Sequence, residues 1–359
     1  MPEGQETGTH NQTENQVDPL ERYSRQMRFG GIGRSGQEKI AASRVVICGC
    51  GALGTVLANN LVRAGVGFVR IVDRDFVEWS NLQRQVLFDE NDVREQVPKA
   101  VAAVEKLKLI NSQIQLEAIV ADIDRTNILQ LCSDTDLILD GSDNFEVRYL
   151  MNDAAVSLKK PWIYAGCVGS YGQSMTIIPG ETPCLRCVFE ASPGPGEVGT
   201  CETAGVLGPV VNLIASYQSL EALKFLAGKK QALCKELFFI DLWENTQRRI
   251  KIAPLLGKVK CPCCGAKEFS WLNGDSGSQT IRLCGRNAVQ VSHRSSKPLD
   301  FNQLGSQLKT SGEVQFNKFL LKFKVEEFQF TVFPDGRAII QGTDDTEKAR
   351  TLYAKYIGY

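Results

Sequence analysis

Apolar and polar positions along the chain keep two rhythms, one over most of its length and another near its end. A short apolar run, Val45 to Cys48, has the length and β-branched content of a buried strand. Gly49, Gly51 and Gly54 follow at G-x-G-x-x-G spacing, and Val56, Leu57, Leu61 and Val62 then recur at helical intervals. A second strand-like run, Phe68 to Val72, ends on Asp73. Pro98-Lys99 opens a helix through Val101, Val104, Leu107 and Leu109, and residues 114–120 (IQLEAIV) give another strand. Leu137 to Leu139 form a short buried strand that ends in Asp140-Gly141-Ser142-Asp143-Asn144. Residues 161–180 supply two strands joined by glycines, and Leu213, Tyr217, Leu220 and Leu223 mark a further apolar helix. Ahead of all these, residues 21–42 read as a helical lead-in, a glycine-rich turn and a second short helix. Strands alternating with helices predict an α/β fold with a doubly wound, Rossmann-like sheet.

Beyond about Ser270 the rhythm changes. A Gly/Ser segment, Asn273 to Ser278, precedes a stretch in which FLLKFKVEEFQFTVF alternates with period two and turns at Pro334-Asp335-Gly336. Asp344 and Glu347 have the spacing of a capping box for a last helix. This predicts a small α+β domain without a chemical motif. The expected division is a disordered tail at 1–19, a catalytic domain at 20–268, a linker at 269–279 and the α+β domain at 280–359.

The glycine spacing gives the first chemistry. Glycines allow a tight turn and close approach of a phosphate, and the following helix N-terminus offers unpaired N–H groups and a positive dipole end. Asp73 lies roughly 20 residues beyond the second glycine, where an acidic side chain meets a ribose hydroxyl. A nicotinamide enzyme would share these features. The continuation differs: Asp73-Arg74-Asp75 and then Asn81-Leu82-Gln83-Arg84-Gln85 put carboxylates, an amide and a guanidinium beyond the strand end. That set suits a magnesium triphosphate better than a dinucleotide. Lys99, in the first turn of its helix, opposes the helix dipole and is a candidate phosphate contact. Asp140 or Asp143 would hold a metal or nucleotide at another strand end, or else Ser142 or Asp143 would cap the next helix. Arg22, Arg25 and Arg28 share one helix face, either as a solvated stripe or with one of them reaching a phosphate in another subunit.

Twelve cysteines in a chain of 359 residues without a secretory signal favour metal binding and thiol chemistry over disulfides. Cys184 and Cys187 form one C-x-x-C pair, and Cys261 and Cys264 another. Two such pairs supply the four thiolates of a closed, structural zinc site, with Cys263 as an alternative ligand. Cys201 ends a Pro/Gly-rich loop and is either a nucleophile of lowered pKa or a small packing residue. The remaining cysteines read as core positions. A net charge of zero gives no electrostatic case for nucleic acid or a membrane surface, and no apolar run approaches the ~20 residues that span a bilayer. A cytoplasmic protein is expected.

In order along the chain, Arg22-Tyr23-Ser24-Arg25-Gln26, the glycine motif, Asp73-Arg74-Asp75, Asn81 to Gln85, Pro98-Lys99, Ser142-Asp143-Asn144 and the two cysteine pairs together resemble the ThiF/MoeB/HesA family of sulfur-carrier adenylyltransferases, bacterial relatives of ubiquitin-activating enzymes. The resemblance covers roughly residues 20–268 and nothing of the C-terminal domain. It implies a homodimer that uses ATP, Mg2+ and structural zinc to adenylate the C-terminal glycine of a small β-grasp sulfur carrier ending in Gly-Gly, of thiamine or molybdopterin type. It implies that Asp73 binds the ribose, that Asn81, Arg84 and Lys99 hold the phosphates, and that Asp143 binds magnesium. Gly49, Gly51, Gly54 and Asp75 complete the expected nucleotide contacts, and Arg25 would reach across from the partner subunit. Cys201 matches a thiol that joins the carrier through an acyl-persulfide in some members, with a cysteine desulfurase or rhodanese as sulfur donor, and residues 190–200 match a crossover loop. Alternatives are adenylation of a non-protein carboxylate and a non-catalytic scaffold that binds a carrier. The joint presence of Arg25, Arg84, Lys99 and Asp143 argues against the scaffold.

Overall fold

The computed structural model describes residues 20–192, 201–277, 279–283, 287–292, 298–317 and 320–358. The expected N-terminal tail and most of the expected crossover loop lie outside these residues. Among them the chain builds two sheets.

The larger sheet contains β1 (Arg44–Cys48), β2 (Phe68–Val72), β3 (Gln115–Ile119), β4 (Leu137–Asp140), β5 (Trp162–Val168), β6 (Tyr171–Ile177), β7 (Glu236–Asp241) and β8 (Thr246–Lys251), in the order β3-β2-β1-β4-β5-β6-β7-β8. Strands β1 to β5 are parallel and β6 to β8 continue the sheet antiparallel. Both faces are covered, which is why β1 reads as an unbroken apolar run. Its Val45 and Ile47 enter one core with the helices Ala52–Ala64, Lys99–Ile110 and Gly208–Leu226. Val46 and Cys48 enter a second core on the opposite face, with the helices Ile128–Ser133 and Phe145–Leu158. Reversal of strand order at β1 and β4 opens a crevice at their C-terminal ends, where ligands of such sheets bind. Gln218, buried in the helix Gly208–Leu226, fixes that corner by donating to the carbonyls of Asp140 (3.0 Å) and Ile163 (2.8 Å).

The smaller sheet runs β11-β12-β13-β14-β10-β9, with β9 at Gln279–Leu283, β10 at Ala288–Ser292, β11 at Glu313–Phe316, β12 at Leu321–Val325, β13 at Phe328–Val332 and β14 at Ala338–Gln341. Burial alternates along β12 and β13, so one face packs on the helices Phe301–Leu308 and Thr346–Tyr356. Phe323, Phe330 and Tyr356 form its aromatic centre.

Three local expectations need correction. The last helix is capped by Asp345, whose carboxylate accepts from the N–H groups of Glu347 and Lys348, and not by Asp344. The helix after β4 is capped by Asn144, and neither Ser142 nor Asp143 has that job. The segment expected as a linker begins inside the catalytic domain's second core: Trp271 is buried, 5.2 Å from the ring of Tyr149, and its N–H donates to Asp153. A large aromatic in a Ser/Gly-rich context packs wherever a pocket is available, so composition alone misplaced its start.

Candidate nucleotide and metal sites

The glycine loop between β1 and the helix Ala52–Ala64 is shaped by close backbone approaches. Gly49 has φ +98°, and a Cβ there would lie 2.7 Å from the carbonyl oxygen of Gly141. A Cβ on Gly54 would lie 2.0 Å from the carbonyl oxygen of Gly49. Side chains are therefore excluded from both positions. Gly51 differs: a Cβ there would meet nothing nearer than 4.0 Å, so its surface faces open space. The second glycine leaves room for a ligand, and the other two hold the loop against β4.

Asp73 organises the crevice from the end of β2. It accepts from the N–H of Cys50 in the glycine loop (2.6 Å) and from the N–H of Asp75 (2.8 Å). Burial pushes its pKa up to about 6, and the neighbouring Asp75 carboxylate adds to the rise, while Lys99 and these two hydrogen bonds oppose it. Lys99 is 9% exposed at its side chain and its ammonium lies 3.2 Å from Asp75. Burial works against that charge, but the carboxylates of Asp73, Asp75 and Asp143 outweigh it and hold the lysine pKa above its ordinary value. The structure thus brings Asp73, Asp75, Lys99 and Asp143 together around the glycine loop.

Asp140 is committed elsewhere. It is fully buried and ion-paired to Arg148 at 3.0 Å, and it accepts from the backbone of Ser142 (2.9 Å) and Ala165 (3.3 Å) and from the Ser142 hydroxyl (2.7 Å). Of the two carboxylates at the end of β4, only Asp143 is exposed. Burial raises the Asp140 pKa, and the Arg148 guanidinium and the Ser142 and Ala165 bonds resist that rise. Sequence reasoning missed Arg148. Its signal is a cation set directly before the apolar run Tyr149-Leu150-Met151 and eight residues after Asp140, a position that calls for a buried anion.

The remaining candidates are placed less directly. Arg84 donates to the Ser80 carbonyl at 2.7 Å, and the Asn81 carboxamide accepts from the N–H of Glu78 at 3.1 Å, so both stabilise their own turn. Gln85, not assigned a role from sequence, is buried; its amide nitrogen lies 4.0 Å from a Cβ position on Gly51, and its carbonyl oxygen has no partner. Arg25 is exposed and does not join this cluster within one chain. Its neighbour Gln26 donates to the carbonyl of Ala64 at the far end of the helix that starts at the glycine loop. Thirteen residues of helix put about 20 Å between the two ends. Cys201 opens the short helix Cys201–Ala204, which packs beside the C-terminal domain's helices Phe301–Leu308 and Thr346–Tyr356; its side chain lies outside the described residues.

The cysteine pairs converge. The sulfurs of Cys184, Cys187, Cys261 and Cys264 all lie within 4.8 Å of one another, with separations of 3.8 Å (184–187), 3.6 Å (184–261) and 3.3 Å (187–264). Four thiolates around zinc at about 2.3 Å bonds need sulfurs nearly this far apart, so the donor set fits that metal. Cys263 is not a substitute ligand: it is buried beside the cluster and accepts from the Asn152 amide at 3.2 Å. Asn152 also accepts from the N–H of Leu185 (2.9 Å), tying one cysteine turn to the helix Phe145–Leu158. Among the described residues, no helix is long and apolar enough to cross a membrane.

Comparison with known proteins agrees with this arrangement. The profile of the ThiF family matches residues 23–263. The sulfur carrier protein ThiS adenylyltransferase of Bacillus subtilis is 45% identical over 339 residues, 94% of this chain and 99% of that protein. The sulfur carrier protein adenylyltransferase of Thermus thermophilus is 39% identical over 69% of this chain and 92% of its own length. Among solved structures, E. coli MccB with ATP shares 25% identity and a TM-score of 0.57, covering 65% of this chain and 72% of its own. A family model matching two thirds of the chain and a 45% identical relative over nearly its whole length show that the chain belongs to the ThiF family.

Proposed function

We infer that the chain is an adenylyltransferase that joins AMP to the C-terminal glycine carboxylate of a small ubiquitin-like sulfur carrier. The observation that carries this reading is the buried Lys99 ammonium ringed by Asp73, Asp75 and Asp143 beside an open glycine loop. It is a polar crevice suited to a triphosphate and its divalent counter-ion. The similarity to the Bacillus subtilis protein extends over so much of both chains that it must include most of the C-terminal domain, which favours a carrier of the ThiS type.

A carrier carboxylate oxygen attacks the α-phosphorus of ATP. The bond from that phosphorus to the bridging oxygen breaks, and pyrophosphate leaves with the electron pair. Charge grows on the leaving group, and Arg84 and Lys99 would be the cations that stabilise it. Asn81 would add an amide contact once its turn is engaged. Asp73 accepts from the ribose hydroxyls. Asp143 would hold magnesium, which neutralises phosphate charge when bound. Arg25 would act from the partner subunit of a homodimer, since its own chain holds it at the wrong end of the helix. Cys201 would receive the carrier for sulfur transfer, with a cysteine desulfurase or rhodanese as donor. Four-thiol zinc binding by Cys184, Cys187, Cys261 and Cys264 suits the reducing cytoplasm.

The test is ATP–pyrophosphate exchange with purified protein, Mg2+ and each small Gly-Gly-ending carrier from the same genome. Exchange that requires one carrier and disappears in Arg84→Ala supports the reading. Absence of exchange with every carrier, despite ATP binding, rejects it in favour of a different carboxylate.

A further inference from the structure

The C-terminal domain is anchored at the two loops that carry the nucleotide-site carboxylates. Arg74 follows Asp73 directly; its guanidinium pairs with Asp122 at 2.8 Å and donates to the Thr351 hydroxyl and, at 3.4 Å, to the Glu347 carbonyl. Glu146 lies three residues past Asp143 and pairs with Arg350 at 3.1 Å. Positions 347, 350 and 351 fall on one face of the helix Thr346–Tyr356. A single helix face therefore bridges the end of β2 to the start of the helix Phe145–Leu158.

Beneath this bridge lies a cavity of about 360 Å³. Arg74, Asp122, Asn144, Glu146, Trp271 and Arg350 are among its walls, so both domains contribute. The glycine loop, Arg84 and Lys99 do not line it. Asp73, Asp75 and Asp143 do not line it either, but its walls Arg74 and Asn144 directly follow Asp73 and Asp143, past the C-terminal ends of β2 and β4. Its lining combines hydrogen-bonding side chains with one buried indole, which suits a planar heterocycle carrying ring nitrogens and an exocyclic amine.

We propose that the C-terminal domain is a wall of the nucleotide site. The helix Thr346–Tyr356 closes the cavity that receives the base end of the nucleotide, and nucleotide occupancy and seating of this domain stabilise each other. The inference rests on the adenylyltransferase reading and adds a specific role for a domain that the sequence left without one. The link is reciprocal: whatever the seated domain adds to nucleotide affinity, the nucleotide adds to seating.

Calorimetric titration of the full chain with Mg-ATP and, separately, with magnesium tripolyphosphate distinguishes the base end from the phosphate end. Arg350→Ala loosens the bridge, and Val147→Phe fills the cavity from a rigid helix without touching either ion pair. Both variants are expected to weaken ATP binding by about tenfold or more while changing tripolyphosphate binding less than about twofold. In wild type, ATP but not tripolyphosphate is expected to slow amide hydrogen exchange in residues 346–356. Unchanged ATP affinity in both variants would overturn the proposal, and so would equal losses for the two ligands. Failure of the wild-type chain to bind ATP would instead remove the reading on which the proposal rests, and Arg84→Ala marks the loss expected from the phosphate end alone.

Discussion

Lys99 meets Asp75 twice: its backbone N–H donates to the Asp75 carbonyl at 2.8 Å and its ammonium reaches the carboxylate at 3.2 Å. The first contact fixes where the helix Lys99–Ile110 begins, and the second keeps the charge aimed at the crevice instead of at solvent. Lys99→Met should leave the helix intact by circular dichroism yet remove the counter-charge to Asp73, Asp75 and Asp143. Affinity for ATP is expected to fall by about tenfold or more, and Lys99→Arg should restore only part of it because a planar fork does not replace a compact ammonium.

Asp73 is expected to make nucleotide affinity depend on pH. Its pKa is pushed up to about 6, so the carboxylate that would accept from the ribose is largely protonated below that pH. ATP binding should weaken as pH falls through about 6, and Asp73→Asn, which cannot titrate, should lose this component of the profile. The sign for stability is the reverse. The folded chain holds this proton to higher pH than the unfolded chain does, so the buried charge costs stability as pH rises from about 4 to about 6. Denaturant titrations across that range check the second effect.

The buried Asp140–Arg148 pair predicts a large loss on breaking one side. Arg148→Met leaves a fully buried carboxylate with the Ser142 and Ala165 bonds but no counter-charge. The expected cost is about 3–5 kcal/mol in urea unfolding. The double variant Arg148→Met, Asp140→Leu should recover part of it, because the unpaired charge is gone.

Cysteine substitution separates ligands from neighbours. Cys184→Ser or Cys264→Ser should lose bound zinc by elemental analysis and lower the melting temperature, whereas Cys263→Ser should keep a full complement of metal. Retention of metal in Cys264→Ser together with its loss in Cys263→Ser would reverse the ligand assignment.

Arg25 gives the test of assembly. Arg25→Ala and Lys99→Ala should each abolish carrier-dependent exchange alone. Mixed and allowed to re-associate, they should recover about a quarter of wild-type sites, since half of the dimers are hybrids and each hybrid has one intact site. No recovery on mixing would place Arg25 in its own chain's site or outside catalysis.

Much of the parallel half was legible because its signals are local. The glycine loop after the apolar β1 and the acids at the ends of β2 and β4 each announce the C-terminal end of a parallel strand. Strands β7 and β8 were not legible: Glu236–Asp241 lacks clean alternation, and every residue of Thr246–Lys251 is exposed, so no burial pattern exists to read. Arg148 and Gln85 were missed for a different reason: Arg148 pairs with Asp140 across the turn after β4, and Gln85 is buried near Gly51, which lies over thirty residues earlier in the chain, and strand and helix periodicity records neither. Trp271 was misread because a linker composition surrounds a side chain that the domain core captures.

The four-cysteine cluster has a topological consequence as well as a chemical one. Cys184 and Cys261 are separated by 77 residues, and between them run the helix Gly208–Leu226 and the whole β7–β8 hairpin. A metal bound there closes this span into a ring and removes from the unfolded chain the conformational freedom of one long loop, an entropy that grows only slowly with length but is large at this size. Strands β1 to β4 complete their pairing outside the ring. Metal starvation should therefore leave the ATP-facing parallel strands paired while the antiparallel margin opens, so that nucleotide binding outlasts the order of β7 and β8.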